Sequence, residues 1–276
     1  MVDWIGKYCI INDCLKPVKD ITEDISFSKS PVYEVLRIAD GVPLFLEDHF
    51  ARLQNSFLLC QEKLIISLSD FRKAVARLIT KNKIAEGPVK FIFGTDNNSG
   101  FIAYFMTPHR PSPEEYKSGI NTVALYEERY NPNAKIWNTE LRETATKLIG
   151  KNKAYEAILI NKNRFITEGS RSNIFFIKNS TVYTTPEDMV LPGVTRKKVL
   201  EICSANKIVT ETGNIRYSRI SDFESAFLTG TSRKVVPIRN IDNIYFDSKN
   251  KIMRRIMKYF DNLEAEYIKQ HKQYYE

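Results

Sequence analysis

A polar segment at 167–173 carries the most unusual combination of side chains in the chain. It reads TEGSRSN and lies between two apolar runs, Phe165-Ile166 and Ile174–Ile177. A simple turn between two strands needs Gly, Asn or Asp, but it does not need a glutamate at the end of a strand. A carboxylate in a nearly buried position requires a cation opposite it. The segment therefore predicts that Glu168 faces a positively charged partner.

Two further segments combine small or hydroxyl residues with the end of a regular element. The sequence LPGVTR at 191–196 leads into the helical pattern KKVLEICSA, where Gly193 permits close backbone approach and Thr195 is placed to cap the helix. Free N–H groups and the helix dipole would then favour an anion. The segment 229–232, TGTS, follows the strand pattern ESAFL. An ordinary capped helix and an ordinary turn fit the two patterns as well, so both interpretations stay open.

Two basic residues are candidates for direct chemistry. Lys135 has the apolar neighbours Ala134 and Ile136. A desolvated lysine can act as a nucleophile or form a Schiff base, although many such side chains simply extend to water. Arg52 stands three residues after His49, so the two share a helix face, from which the arginine either reaches a phosphate or lies at the surface.

Hydrophobic periodicity predicts the elements that must position these groups. The predicted strands are 32–38, 42–45, 89–93, 101–106, 121–126, 157–160, 164–167, 173–178, 181–184, 225–229 and 235–238. The predicted helices are 46–60, 71–80, 139–152, 193–205 and 251–270. A hairpin turn is predicted at 94–100 between the third and fourth strands.

The segment 107–113 holds three prolines in seven residues, which predicts a boundary between domains because proline cannot continue a ladder. The predicted division is a small N-terminal α+β domain at 1–108, a linker at 109–118 and a larger C-terminal domain at 119–276. The predicted fold class is therefore α+β, with two mixed domains.

Composition limits the possible partners. The chain has 276 residues, of which 43% are hydrophobic, and a net charge of +8 spread along its length. Scattered charge of this kind favours solvated surfaces over a nucleic-acid site. The four cysteines form no C-x-x-C pair, and no secretory signal opens the chain, so we expect reduced thiols and a cytoplasmic protein. No apolar run approaches the roughly 20 residues that span a bilayer, and three widely spaced histidines argue against a metal site.

Taken in chain order, the motifs resemble those of the class IV, or fold-type IV, pyridoxal-phosphate enzymes. The matching motifs are HxxRL (49–53), Lys135 with Asn138, YEAIL (155–159), TEGSRSN (167–173), PGVTR (192–196), FLTGT (227–231) and VVPI (235–238). This family contains branched-chain aminotransferases, D-amino acid aminotransferases and 4-amino-4-deoxychorismate lyases. The resemblance extends over about 33–242 and implies the D-amino acid aminotransferase-like architecture, with pyridoxal 5'-phosphate as cofactor.

The resemblance also implies a role for each candidate residue. Lys135 would bind the aldehyde of the cofactor and move a proton at the substrate α-carbon. Glu168 would lie against the pyridine nitrogen, and Arg52 would pair with the phosphate. The other implied cofactor-binding residues are Ser172, Asn173, Val194, Thr195 and Thr231. The implied substrate-binding residues are Tyr33, Ser232, Arg171 and Arg233.

Two departures from the family pattern concern the substrate. Many members carry a carboxylate-binding arginine after the strand that corresponds to 90–93, where this chain has Gly94-Thr95. Members also often have a glycine-rich entry before the first Tyr-Glu pair, where this chain has Ser28-Lys29-Ser30-Pro31. Arg171 and Arg233 are the candidates to replace the missing arginine.

Three functions follow as hypotheses. The first is an aminotransferase that moves an amino group between a branched-chain or D-amino acid and a 2-oxo acid. The alternative within the family is 4-amino-4-deoxychorismate lyase, which eliminates pyruvate. The alternative outside catalysis is a binding protein that keeps the fold, against which the joint presence of Lys135, Glu168 and Arg52 argues. The resemblance further implies a homodimer.

Overall fold

The computed structural model describes residues 4–20, 31–94 and 100–275. The chain divides into two compact units. The first comprises 1–109, 134–137 and 264–276, and the second comprises 110–133 and 138–263. The sequence-based division had assigned 134–137 and 264–276 to the second domain. The segment 134–137 joins the first unit because Ile136 forms a β-bridge with Val32.

The first unit contains an antiparallel sheet. Within the described residues its strands are β1 Tyr8–Ile11, β2 Cys14–Pro17, β3 Val32–Ala39, β4 Val42–Pro43, β5 Gly87–Phe93 and β6 Phe101–Phe105. Their order across the sheet is β2-β1-β6-β5-β3-β4. The predicted strand at 42–45 is shorter in the structure, because Phe45 adopts a left-handed conformation with φ 53° before the first helix. Most of the predicted 94–100 turn and Ser28-Lys29-Ser30 lie outside the described residues.

Two helices, α1 Leu46–Leu59 and α2 Leu68–Asn82, cover this sheet. Their apolar side chains recur at helical spacing and pack against alternate residues of β3, β5 and β6. The resulting core is rich in phenylalanine: the ring centroids of Phe71 and Phe91 lie 4.5 Å apart. Aromatic burial of this kind makes the sheet and helix α1 a rigid support for the residues they carry.

The second unit is built on one large mixed sheet. Its strands in the described part of the chain are β7 Ile120–Leu125, β8 Glu156–Ile160, β9 Phe165–Gly169, β10 Asn173–Lys178, β11 Thr181–Thr184, β12 Thr210–Thr212, β13 Ile215–Arg216, β14 Ser225–Gly230, β15 Lys234–Ile241 and β16 Ile244–Tyr245. The order is β12-β11-β10-β14-β15-β7-β8-β9-β13, and β16 pairs with β15. The strand β7 runs parallel to β8 and β15, whereas β10 runs antiparallel to β14.

The remaining helices are α3 Pro113–Ser118, α4 Thr139–Asn152, α5 Val194–Ala205 and α6 Lys251–His271. Part of the predicted linker is therefore the helix α3, because Ser112 and Glu115 form a capping box around Pro113. Helix α4 begins where Asn138 accepts a hydrogen bond from the N–H of Leu141.

Among the described residues, no helix combines the length and the apolar character needed to cross a membrane.

Candidate active site

Lys135 is the central residue of a short turn in the first unit. The N–H of Ile136 donates to the C=O of Ala134 at 2.9 Å, which closes a γ-turn around the lysine. The N–H of Lys135 donates to Ser56 Oγ at 3.0 Å. The C=O of Lys135 accepts from the N–H of Tyr33, also at 3.0 Å. The backbone of the lysine is thus fixed on one side by α1 and on the other by β3.

Aromatic rings surround the side chain of this lysine. Lys135 Nζ lies 4.5 Å from the ring centroid of Tyr33, and the rings of Tyr33 and Trp137 meet edge to face at 5.4 Å. A second lysine, Lys90 on β5, places its Nζ 3.5 Å from the Trp137 centroid and is only 5% exposed. Sequence reasoning missed Lys90 and Trp137, although a single lysine within the apolar strand GPVKFIF was a usable indication.

Arg52 lies buried on α1, where a carboxylate from β3 holds its guanidinium. Arg52 Nε donates to Glu34 Oε2 at 3.0 Å, and Arg52 Nη2 donates to Glu34 Oε1 at 2.5 Å. Glu34 is fully buried, so this bidentate pair is shielded from solvent. Sequence reasoning placed Arg52 at a phosphate but missed Glu34, which fixes the plane and direction of the guanidinium.

His49 completes this buried cluster. Its Nδ1 lies 3.1 Å from Glu34 Oε1 and 3.3 Å from Arg52 Nη2. Burial lowers the pKa of His49; the bond to Glu34 acts in the opposite direction, and the charges of Arg52 and Lys135 lower the pKa further. The imidazole is therefore neutral at pH 7. For Glu34, burial opposes ionisation, but Arg52 and His49 outweigh it, so the pKa of Glu34 lies well below its usual range.

These shifts predict acid-sensitive stability. The folded pKa of His49 lies below its unfolded value of about 6.5, so the unfolded chain binds more protons as the pH falls through that value. The free energy of unfolding should then fall by up to about 1.4 kcal/mol per pH unit, and more steeply below about 4.3, where Glu34 of the unfolded chain is protonated. Urea unfolding at pH 8, 7, 6 and 5 measures the effect.

The variant His49→Gln is the control for this prediction, since it keeps a hydrogen-bonding side chain but cannot titrate. Its free energy of unfolding should change less than that of the natural protein between pH 7 and pH 5. If the free energy of unfolding depends on pH equally in the two proteins, the acid sensitivity arises from groups other than His49.

Glu168 lies at the end of β9 in the second unit and is 2% exposed. Its Oε1 accepts from Arg129 Nε at 2.8 Å. Its Oε2 accepts from the Leu191 N–H at 3.2 Å and from Asn173 Nδ2 at 3.3 Å. The cation that faces Glu168 in the structure is Arg129 of the same chain. Sequence reasoning missed Arg129, which stands in the charged run EERY before the lysine segment.

The glycine of the TEGSRSN motif, Gly169, lies in a crowded turn. A Cβ added there would lie 2.1 Å from Ser172 Oγ and 3.3 Å from the side chain of Glu156. The N–H of Gly169 donates to the C=O of Ser172 at 2.7 Å, so the turn folds tightly back on itself. A side chain at 169 would therefore force Ser172 and Glu156 to move, which favours glycine at this position.

A second buried carboxylate, Glu156 on β8, lies beside the serines of this motif. It forms an ion pair with Arg233 and accepts a hydrogen bond from Ser170 Oγ; Ser172 Oγ also donates to it at 3.4 Å. Burial opposes the ionisation of Glu156, but the charge of Arg233 and the Ser170 hydrogen bond outweigh it, and the pKa of Glu156 is lowered. The charge of Arg233, a candidate for binding a substrate carboxylate, is therefore already offset within the unit.

Helix α5 begins at Val194 with Gly193 as its N-cap, and no side chain caps its first turn. The prediction that Thr195 caps the helix is wrong: Thr195 is the second helical residue. Gly193 is required because a Cβ would lie 2.0 Å from Asn173 Oδ1. The first turn therefore presents backbone N–H groups and the positive end of the dipole without a side-chain cap at Gly193.

A buried hydroxyl in the second unit also suits an anion. Thr229 Oγ1, at the end of β14, is buried and has no hydrogen-bond partner in the part of the chain that the structure describes. Thr231 and Ser232, in the turn after β14, are partly exposed. Arg171 is exposed and donates to Thr146 Oγ1 at 3.2 Å. Among these groups, the Thr229 hydroxyl is the buried donor that is left for a ligand.

Comparison with known proteins identifies the family. The pattern of the amino-transferase class IV family matches residues 31–241. A D-alanine aminotransferase from Bacillus licheniformis is 27% identical over 228 residues, which is 76% of this chain and 78% of that protein. A probable branched-chain-amino-acid aminotransferase from Rickettsia typhi is 27% identical over 286 residues, covering 97% of this chain and 98% of that protein.

Solved structures show the same fold. A branched-chain amino acid aminotransferase from T.th., solved with pyridoxamine 5'-phosphate, has a TM-score of 0.84 at 17% identity, covering 96% of this chain and 97% of that one. A putative 4-amino-4-deoxychorismate lyase from Legionella pneumophila has a TM-score of 0.76 at 21% identity, covering 88% of this chain and 97% of that one. The fold is α+β of fold-type IV, as predicted. The chain belongs to the class IV aminotransferases, the enzymes that use pyridoxal phosphate.

Proposed function

We propose that the protein is an aminotransferase that moves an amino group between a branched-chain or D-amino acid and a 2-oxo acid. Both relatives named above are aminotransferases, one for D-alanine and one for branched-chain amino acids. One observation carries the proposal: the γ-turn holds the backbone of Lys135 from two sides and leaves its Nζ 4.5 Å from the Tyr33 ring. This arrangement suits a lysine whose side chain does chemistry.

When bound, pyridoxal phosphate supplies an aldehyde that captures the amino group and a ring that accepts electrons. Lys135 Nζ would hold the aldehyde carbon of the cofactor and would move the proton at the substrate α-carbon. Glu168 would keep the pyridine nitrogen protonated, and hydrogen bonds from Asn173 and Arg129 fix its carboxylate.

The phosphate would be held by charge and by backbone donors. Arg52 offers a planar guanidinium whose orientation Glu34 fixes. The N–H groups of Val194 and Thr195, at the uncapped start of α5, add donors together with the helix dipole. The Thr195 and Thr231 hydroxyls are proposed as further donors. Ser172 is proposed on the ring side of the cofactor, next to Glu168 in the same turn.

We assign the substrate to four residues: Tyr33, Ser232, Arg171 and Arg233. Tyr33 is the ring that lies against Lys135 Nζ. Arg171 is the stronger candidate for a substrate carboxylate, because it is exposed whereas the charge of Arg233 is balanced by Glu156. Ser232 would contribute its backbone N–H.

The absorption spectrum of the purified protein tests this proposal. We expect a yellow protein that bleaches with one group from a panel of L- and D-amino acids, and borohydride should fix the cofactor on Lys135. A yellow protein that responds to no amino acid would favour the lyase, and release of pyruvate would then be measured. A colourless protein that takes up no pyridoxal phosphate would favour a binding protein without catalysis.

Glu168→Gln should keep the cofactor but slow removal of the α-proton by about 10²-fold or more, because a neutral amide cannot hold the proton on the pyridine nitrogen. Single-turnover bleaching with the best amino donor measures the rate. Glu211→Gln, an exposed carboxylate on β12, is the matched control and should leave the rate unchanged. An equal rate for Glu168→Gln and the natural protein would remove Glu168 from the mechanism.

We also propose a homodimer. Leu58 and Leu59 at the end of α1, and Ile65 just beyond, are 73%, 42% and 50% exposed. Exposed large apolar side chains can form part of an association site. Sedimentation should give twice the mass of one chain, and Leu58→Glu should shift the protein toward monomer. A natural protein that sediments as one chain would contradict the proposal.

A further inference from the structure

We propose that Ser56 is a positioning residue that fixes the backbone of Lys135 relative to Arg52. The inference rests on the proposed function, which gives these two residues their roles at the aldehyde and the phosphate. The motifs of the sequence analysis do not include Ser56, which stands four residues after Arg52 on the same face of α1.

One buried hydroxyl makes both bonds of this connection. Ser56 is 0% exposed. Its Oγ donates to the C=O of Arg52 at 2.9 Å and accepts from the N–H of Lys135 at 3.0 Å. A hydroxyl has one donor and two acceptor positions, so the donor and one acceptor are used. The peptide groups of Arg52 and Lys135 are therefore joined through a single oxygen.

The helix itself gives no reason for a serine at this position. A serine that bonds back to the carbonyl four residues earlier slightly destabilises a helix, and alanine has the higher helix propensity. The bond to Lys135 is the contact of Ser56 that crosses to another segment, 79 residues away in sequence. It satisfies the N–H of the residue at the centre of the γ-turn, where no regular ladder supplies an acceptor.

Loss of the Ser56 hydroxyl should increase the mobility of the γ-turn at Lys135, while other hydrogen bonds of the turn remain. The N–H of Tyr33 would still donate to the C=O of Lys135, and the N–H of Trp137 would still donate to the C=O of Pro31 at 2.9 Å. The N–H of Lys135 would lose the acceptor that Ser56 Oγ provides. A small displacement of a reacting group is costly, since a misplacement of about 1 Å can reduce a rate by about 10²-fold.

Two forms of the cofactor separate positioning from simple phosphate binding. Pyridoxal phosphate needs both the phosphate site and a correctly placed Lys135, because its aldehyde bonds to the lysine. Pyridoxamine phosphate carries an amine in place of the aldehyde, so it needs the phosphate site but makes no bond to Lys135. A residue that fixes Lys135 relative to Arg52 should affect the first ligand more than the second.

The experiment measures dissociation constants of both ligands by tryptophan fluorescence for the natural protein, Ser56→Ala, Ser56→Cys and Asn55→Ala. The cysteine variant nearly preserves the side-chain volume should the alanine variant fail to fold, and Asn55 is an exposed neighbour on α1. We expect Ser56→Ala and Ser56→Cys to weaken pyridoxal phosphate binding by about tenfold and pyridoxamine phosphate binding by less than about twofold. Equal losses for the two ligands, or no loss, would overturn the proposal.

Hydrogen exchange tests the tether without any cofactor. The amides of 134–137 should exchange faster in Ser56→Ala than in Asn55→Ala, and equal exchange would overturn the Ser56 proposal alone. Borohydride labelling of the natural protein keeps the two proposals apart. A label on a lysine other than Lys135 would overturn the role of Lys135 in catalysis, and the proposed positioning function of Ser56 would fall with it even where exchange shows the tether.

Discussion

Lys135→Ala will remove amino-transfer activity and leave the fold in place. Turnover should fall by at least about 10³-fold, because the variant lacks both the nucleophile and the group that moves the α-proton. The fold should survive because the turn is held by the N–H and C=O of residue 135, which alanine keeps. Steady-state turnover with added pyridoxal phosphate and the thermal unfolding midpoint measure the two effects.

Lys147→Ala is the matched control. Lys147 is exposed on α4, so its removal should change neither turnover nor the unfolding midpoint. Retained activity in Lys135→Ala would show that the lysine is wrongly placed. Lys90 would then be the next candidate, because it lies against the same Tyr33 ring as Lys135, at 5.5 Å from its centroid.

Local sequence was sufficient for several elements that build the site. Helix α4 at Thr139–Asn152 and strands β10 and β11 have the predicted bounds. The reason is that their ends are marked locally: Asn138 caps α4, and the turn at Asn179-Ser180 has positive φ at both residues. The family, the fold and the cofactor also followed from motif order and are confirmed.

The residues of the site that the sequence did not predict depend on contacts between distant segments. Arg52 was found by its motif, but its carboxylate partner Glu34 lies on β3, in a strand that reads as apolar alternation. Arg129 and Glu168 are 39 residues apart, and only the folded second unit pairs them. Periodicity predicts which face a residue occupies, but it does not predict which residues of two elements meet.

The error at Thr195 has a related cause. A threonine at a helix start is a common N-cap, so propensity favoured that position. The structure places the N-cap two residues earlier, at Gly193, where an added Cβ would lie 2.0 Å from Asn173 Oδ1. A contact with β10 therefore decides where α5 begins, and helix propensity does not contain that information.

Arg233→Met should cost about 3–5 kcal/mol of the free energy of unfolding. The side chains of Arg233 and Glu156 are 6% and 1% exposed. The substitution would leave the Glu156 carboxylate buried without an ion-pair partner, with its hydrogen bonds from Ser170, Ser172 and the Ala157 N–H. Arg171→Met is the control, since Arg171 is exposed and should change the free energy by no more than about 0.5 kcal/mol. Urea unfolding of both variants at pH 7 measures the difference.

The double variant Glu156→Met, Arg233→Met tests the cause of this loss. It removes both charges from the interior, so much of the lost stability should return, as expected where a buried ion pair is replaced by apolar side chains. Because the folded pKa of Glu156 is lowered, the stabilisation by the pair is present above about pH 4.3 and lost below it. The contrary result would be a small loss of the free energy of unfolding in Arg233→Met together with a raised KM. It would assign the arginine to the substrate carboxylate, since its charge would then be needed for binding rather than for folding.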